Sequence, residues 1–439
     1  MASDLTRIGE KAKQEPELVF TSLYHHVTRR ENLAACFQRM EPGKAPGVDG
    51  VTKEQYGQEL ESNLQDLEAR LKRLGYRAQA VRRKWIPKPG STKKRPLGIP
   101  CFEDQLVEMA LKQVMEPIWE VDFLDCSYGY RPGRTAHQAL DRLGKILQQK
   151  RINWVVEVDI RSFFDRVNQI LLMKCLKQRI GDRRILRLVW RILKSGVMED
   201  GLTQPSEDGT PQGGVLSPLL SNIYLHYALD QWFALTFQPK CRGEAHLFRF
   251  ADDFVVCFQY RWEAEQFLRE LKERLGQFHL ETEDSKTKLV EFGRFAEPNA
   301  RQRGKKPESF DFLGLTHYCG KTRYGVFKVK RKTSAKKFRA KLAEFTKWIR
   351  EHRMKLRTGE LLKRAKVRLR GHLQYYAITD NSAMCDSYRY QLTRLLFKWL
   401  NRRSQRKSYT WKRFLGALGW VKWPSVRILH RLDPFGKSA

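Results

Sequence analysis

The sequence predicts an α+β fold, from three observations. Runs of β-favouring residues end in or enclose acids at 154–160 and 248–257. Other stretches place leucine, isoleucine or phenylalanine at spacings of three and four, as amphipathic helices do. The two patterns alternate until about Lys321, after which helical spacing prevails and Lys and Arg become dense.

The first 45 residues read as helical, with Leu18, Phe20, Leu23 and Tyr24 and then Leu33, Cys36, Phe37 and Met40 as the apolar positions. Prolines and glycines at 42–50 break the pattern. A polar helix is expected from Thr52 to Leu74, and two strands are read in 81–90 and 96–100, joined through the basic turn 91–95. Helices follow at 103–119 and 135–149, separated by the loop Tyr128-Gly129-Tyr130-Arg131-Pro132-Gly133-Arg134. After a strand at 154–160, residues 171–195 read as mainly helical. A glycine-marked loop, 209–218, then leads into a buried helix. The 248–257 hairpin, a helix at 262–277, an extended run before Phe292, a polar surface loop at 297–308 and a short strand at 310–316 complete this part. Helices are expected around Phe338, Leu342, Phe345 and Ile349, at 360–376 and at 387–401. A run of cations and aromatics follows at 401–413.

At 439 residues and 41% hydrophobic, the chain is long enough for two to four packed units. No apolar run could span a bilayer and Met1–Arg7 lacks a signal-peptide core, so a soluble, cytoplasmic protein without a membrane partner is expected. The 8 cysteines are scattered without a Cys-x-x-Cys pair, which argues against a zinc module or a disulfide framework. A formal charge of +34 points to a bound polyanion, because so large an excess repels itself in a compact chain.

The strongest chemical signal is Asp252-Asp253, expected at the turn of the 248–257 hairpin. An acid pair in a turn is also ordinary surface chemistry, but Asp159 ends a second strand-like run. If the two are neighbours, three carboxylates gather at one sheet edge and need a cation between them. Oxygen ligands of high charge suit Mg²⁺, and two such ions can activate a 3′-hydroxyl and stabilise leaving pyrophosphate.

In their order, these stretches resemble a reverse transcriptase/maturase of the group II intron-encoded, bacterial type. The matching pieces are 45–50, Arg95-Pro96-Leu97-Gly98-Ile99-Pro100, 128–133, 159–165, 209–218, Phe250-Ala251-Asp252-Asp253, Lys286 and Phe312-Leu313-Gly314. The resemblance implies a right-hand polymerase with fingers, a palm of antiparallel sheet plus helices, and a helical thumb. Expected divisions are an N-terminal extension at 1–45, part of the fingers at 46–155, the palm at 156–320 and a basic thumb and maturase region at 321–439. It implies that Asp159, Asp252, Asp253 and the Ile160 carbonyl serve two Mg²⁺ ions, with Mn²⁺ as a substitute. Lys88, Arg95, Phe164, Gln212 and Lys286 are expected at the deoxynucleoside triphosphate, with Phe164 excluding a 2′-hydroxyl. Arg131, Gly314, Lys336, Lys337, Arg402, Arg403 and Arg406 are expected on nucleic acid. Implied partners are template RNA, a DNA or RNA primer, and group II intron RNA, with the protein in a nucleoid or ribonucleoprotein particle.

Two departures stand out: Phe250 replaces the usual tyrosine, and no His/Cys-rich endonuclease segment precedes Ala439. Any insertion into DNA is therefore expected to need a strand cut made elsewhere or an existing 3′ end. A maturase-only splicing cofactor and a host-adopted enzyme of DNA repair or antiviral defence share the same motifs.

Overall fold

The structure, a computed structural model, describes residues 2–87, 94–199, 201–205, 207–210, 213–403 and 409–435. The N-terminal third is helical around one strand pair: α1 (Ala2–Gln14), α2 (Tyr24–Thr28), α3 (Arg30–Arg39), α4 (Lys53–Gln58), α5 (Leu60–Lys72), β1 (Val81–Pro87), β2 (Lys94–Ile99), α6 (Phe102–Asp122) and α7 (Ala136–Gln149). The expected 52–74 helix is two, because Glu59 leaves helical geometry (φ −120°, ψ 42°). The middle holds β3 (Trp154–Asp159), α8 (Phe163–Arg166), α9 (Gln169–Lys177), α10 (Arg183–Leu193), β4 (Val197–Glu199), β5 (Leu202–Gln204) and α11 (Ser217–Leu225). After two π-helical turns come β6 (Ala245–Phe250), β7 (Asp253–Phe258), α12 (Arg261–Gln277), β8 (Lys288–Glu291) and α13 (Ala296–Gln302). The chain closes with β9 (Ser309–Phe312), β10 (Leu315–Lys321), β11 (Phe327–Thr333), α14 (Ala335–His352), α15 (Thr358–Tyr376), α16 (Ser382–Leu400) and α17 (Trp411–Trp420).

The central sheet, in the order β6-β7-β3-β8, is antiparallel and buried on both faces. Alternation along its strands divides the interior in two. Val156, Val158, Phe254, Val256 and Phe258 join a core built on α6, α9, α11 and α12. Val155, Val255, Cys257 and Phe248 join a second core with α7, the β9–β11 sheet and α14–α16. Truncating Phe254 or Val256 to alanine would cost about 2–5 kcal/mol. A separate sheet, β2-β1-β4-β5, stands on the N-terminal side, where Glu199 accepts from Trp85 Nε1 (2.6 Å) and pairs with Arg83 (3.1 Å).

Three further sequence expectations change. The polar 297–308 loop contains α13, with Ala296 and Ala300 buried beneath an otherwise polar helix. The 310–316 strand is instead a tight hairpin, in which Phe312 pairs with Leu315. Its sheet continues through β11, across the composition shift at Lys321. The run at 401–413 includes the start of α17, capped by Thr410 Oγ1 accepting from the Arg413 N–H. Among the described residues no helix is long and apolar enough to cross a membrane.

Candidate active site

Register places the acids. β3 and β7 pair so that Asp159 faces Asp253, while Phe250 faces Asp253 across the β6–β7 hairpin. The turn is therefore Ala251-Asp252, one position before the expected Asp252-Asp253, and Asp253 is already the first residue of a strand. Positions 155, 157 and 159 of β3 and 253, 255 and 257 of β7 share the face that elsewhere meets the second core. Asp159 and Asp253 thus stand where that core gives way to solvent.

A buried network fixes the turn. Arg249 donates from Nε (2.7 Å) and Nη2 (2.5 Å) to the Asp230 carboxylate, from Nη1 to Asn222 Oδ1 (2.9 Å) and the Ala251 carbonyl (3.0 Å), and from Nη2 to Ser127 Oγ (2.7 Å). Both members of the ion pair have 0% exposed side chains, so each compensates a charge that water cannot reach. Asn222 also donates to the Gly129 carbonyl (2.7 Å), and a Cβ at Gly129 would collide with the Ala251 backbone nitrogen. This close approach is why the 128–133 loop carries glycine there.

Beyond Asp159 the strand edge is taken by residues 281–283. The Glu283 N–H donates to the Asp159 carbonyl (2.7 Å) and the Arg161 N–H to the Glu281 carbonyl (2.9 Å). Those two bonds flank the Ile160–Thr282 bridge, so the Ile160 carbonyl takes no bond from Thr282. Lys286, carried by the same segment, donates its ammonium to Asp159 Oδ2.

Crowding is visible in the acids' proton affinities. Asp253 reaches solvent but lies deep between strands. Desolvation, then repulsion from Asp252, Glu157 and Asp159, pushes it up to about 7, against an N–H bond from Leu313. Desolvation, with Asp159 adding, also raises Asp252, while Arg249 and Lys286 oppose the shift. Among the described residues no three acidic, histidine or cysteine side chains already form a metal cage. The donor set nevertheless fits a hard divalent cation: crowded carboxylates with raised pKa, a backbone carbonyl beside them, and one carboxylate already holding a cationic ammonium.

Beside the acids, Ser162 turns the chain in the left-handed region (φ 45°) and presents Phe164, half-buried and edge-on to Phe163 (centroids 5.2 Å). The glycine-marked loop folds onto this turn. Thr210 N–H donates to the Phe164 carbonyl (2.9 Å), and Gly209 has φ 86° where a Cβ would lie 2.9 Å from that same oxygen. Gly213 (φ 120°) passes so close to the Gly98 carbonyl of β2 that no Cβ fits. Buried Glu108 of α6 anchors the loop by accepting from the Leu216 N–H (3.0 Å) and from Val215. Arg95 is exposed on β2. Tyr130, 52% exposed, is within electrostatic reach of both Arg95 and Asp252. Lys88 and Gln212 lie outside the described residues.

A second turn reaches the acids from the other side. Leu313 and Gly314 join β9 to β10, with φ values of 52° and 76°. The Leu313 N–H bonds the Asp253 carboxylate, while the Leu313 carbonyl accepts from Tyr375 Oη of α15 (2.8 Å). The Gly314 carbonyl accepts from the Ser334 N–H (3.1 Å). Lys336 and Lys337 are exposed in the first turn of α14, with Lys337 against Gly314.

Two expected nucleic-acid contacts have internal partners. Arg131 has a side chain only 4% exposed, pairs with Glu120 (3.1 Å) and donates to the Leu124 and Ser127 carbonyls (both 2.9 Å). It is an internal latch of its loop, away from any surface a phosphate could reach. Arg403 donates to Thr358 Oγ1 (2.8 Å) and the Leu356 carbonyl (3.0 Å), tying the end of α16 to the start of α15. Arg402 is exposed over the Trp399 ring (5.5 Å), and Arg406 lies outside the described residues.

Arg249, Asp230, Asn222, Glu108 and Tyr375 were not singled out from the sequence. An arginine inside the apolar run Leu247-Phe248-Arg249-Phe250 was the available signal for the first, since a buried cation needs a buried acid. Tyr375 gave none, because its partner is a backbone carbonyl 62 residues away.

Residues 86–317, more than half of the chain, match the family model described as reverse transcriptase (RNA-dependent DNA polymerase). The chain belongs to the reverse transcriptase family. Protein YkfC of Escherichia coli K12 is 34% identical over 74% of this chain and 90% of its own length. The group II intron-encoded protein LtrA of Lactococcus lactis is 36% identical over 55% of this chain, which spans only 40% of LtrA. The mitochondrial nuclear intron maturase 1 of Arabidopsis thaliana is 31% identical over 22% of this chain and 13% of its own length. The relatives named for introns are matched over part of their length only, with the chain spanning 40% of LtrA and 13% of the maturase.

Proposed function

We propose that this reverse transcriptase copies RNA into DNA and that it binds a group II intron RNA and assists its splicing and mobility. The observation that carries the polymerase reading is the β3–β7 register, which opposes Asp159 to Asp253 with Asp252 in the adjoining turn. Asp159, Asp252 and the Ile160 carbonyl would hold divalent metal, Mg²⁺ by preference and Mn²⁺ as a substitute, with Asp253 in support. When bound, the metal supplies an activated primer 3′-hydroxyl and neutralises the leaving pyrophosphate.

The chain's own residues do the rest. The buried Arg249 pair keeps the acids aligned without thermal wandering. Lys286, Arg95 and Lys88 bring positive charge to the triphosphate. Phe164 fills the space of a 2′-hydroxyl and Gln212 lines the nucleotide pocket. Gly314, Lys336 and Lys337 lie on the primer side, and Arg402 and Arg406 extend the cationic surface. Residues 1–45 form an N-terminal extension, 46–155 part of the fingers, 156–320 the palm and 321–439 the thumb. The splicing role rests on the relatives' names and on the +34 charge.

The test is Mg²⁺-dependent primer extension on an RNA template with deoxynucleotides, wild type against Asp252→Ala at matched RNA binding. Extension should fall at least ~100-fold, the value of several kcal/mol of lost charge stabilisation. No extension by either protein, with intron splicing still promoted, would leave the maturase role alone.

A further inference from the structure

Helices α14, α15 and α16 enclose a cavity of about 400 Å³ to which the polymerase reading gives no role. Its walls are aromatic, formed by Phe345, Tyr375, Tyr376 and Tyr388. On α15 the lining positions are 368, 371, 372, 375 and 376, the spacing of one helix face. That face carries a polar group without a partner. His372 is 7% exposed and stacks on Tyr388 (centroids 3.7 Å) and Tyr376 (4.6 Å). Neither of its ring nitrogens has a hydrogen-bond partner among the described residues, although buried polar atoms ordinarily find one. Burial, with Lys341 adding, lowers its pKa to about 4, so at neutral pH the ring presents one donor and one acceptor.

The rim is cationic on balance. Lys341 (3.0 Å) and Arg368 (3.7 Å) share the single acid Glu344, and all three side chains are 40–52% exposed. Gly371 sits exposed in the helix, where a Cβ would meet nothing within 4 Å. An inorganic anion would leave the aromatic walls unused, and a hydrocarbon would leave His372 unsatisfied.

We propose that this cavity binds one unpaired nucleotide of a nucleic-acid strand, its base among the tyrosines with its edge on His372 and its phosphate at Lys341 and Arg368. Aromatic walls accept any base by stacking, and the rim cations meet the phosphate. The inference rests on the polymerase reading for the presence of a strand. Occupancy would also be felt at the acids, since Tyr375 bonds the Leu313 carbonyl and a Cβ on Gly314 would lie 2.9 Å from Tyr376 Oη.

The experiment uses the full chain and two fluorescent probes, a single-stranded RNA oligonucleotide with one internal 2-aminopurine and the free 2-aminopurine riboside 5′-monophosphate. The oligonucleotide should be quenched saturably, and roughly tenfold more weakly in His372→Phe. Gly371→Leu, which obstructs the mouth while replacing a helix-interior glycine, should abolish quenching without lowering the thermal midpoint. Anisotropy of the same oligonucleotide reports binding to the rest of the basic surface. Equal quenching in wild type and Gly371→Leu overturns the site. Equal quenching by the free monophosphate at the same concentrations overturns the strand as its source. Primer extension by the wild-type protein separates the two readings: extension without saturable quenching removes this inference alone, and saturable quenching without extension removes only the polymerase.

Discussion

The Ala251-Asp252 turn and the Leu313-Gly314 turn are both two-residue hairpin connections that begin with a non-glycine residue in the left-handed region, at φ 58° and 52°. They meet at Asp253, which begins the strand after the first turn and accepts an N–H from the second. Their supports differ. The first is held from within the central sheet by a buried cation, Arg249, and by the close approach of Gly129. The second is uncharged and held by neutral hydrogen bonds from Tyr375 and from the Ser334 backbone, next to the C-terminal helices. Strain of about 1–3 kcal/mol per unusual residue persists only where surroundings over-determine it, so both turns must be braced. Only the second brace can loosen if the C-terminal helices move, because only it spans from the sheet to α15.

Breaking the first brace should have the largest effect. Arg249→Met leaves Asp230 buried and unpaired and frees the Ala251 carbonyl, a change expected to cost about 3–5 kcal/mol. Denaturant titration reads the loss directly, and a shift below ~1 kcal/mol would mean that packing, rather than the ion pair, sets the turn. For the second turn the matching change is Gly314→Ala, which puts a Cβ at φ 76° and 2.9 Å from Tyr376 Oη. The expected cost is about 1–3 kcal/mol, with faster amide exchange at Leu313. Exchange at Ala251 should stay slow, and equal acceleration at both turns would show that they are not braced separately.

The sequence made the two turns unequally legible. Phe248 to Cys257 brackets its acids with β-favouring residues, so the hairpin followed from local pattern, although its turn falls on Ala251-Asp252, one position before the expected pair. Phe310 to Thr316 has the same architecture but reads as one strand, because Leu313 enters the left-handed region only under constraint from Asp253 and Tyr375. Arg131 misled for the converse reason. A loop of arginines, tyrosines and glycines looks like a phosphate site, and burial against Glu120 is a tertiary fact that loop composition does not carry.

A pH experiment sharpens the contrast, since only the first turn has titratable groups. Asp253 is raised to about 7 in the folded chain against about 3.9 unfolded, so between those values the native state binds the extra proton. Its contribution is therefore fully present below about pH 4 and lost as pH rises through about 7. In the absence of divalent metal, Asp253→Asn should flatten this part of the stability profile and leave the protein relatively more stable at neutral pH. An unchanged slope would assign the pH dependence to other buried acids, with Glu108, raised to about 7 by burial, the first to test.

The smallest expected effect is also the most specific. Tyr375→Phe removes one hydroxyl that donates to the Leu313 carbonyl and keeps the ring that packs beside Tyr376. A neutral hydrogen bond is worth about 0.5–1.5 kcal/mol, so stability should fall within that range. The Leu313 N–H that bonds Asp253 belongs to the residue that loses its acceptor contact, so extension should slow roughly two- to tenfold. That loss should appear in the rate constant for nucleotide addition, with template-primer affinity unchanged, because no cation is removed. If affinity falls and the rate holds, Tyr375 acts on the bound strand directly. If the rate falls alone, the C-terminal helices help set the geometry of Asp253.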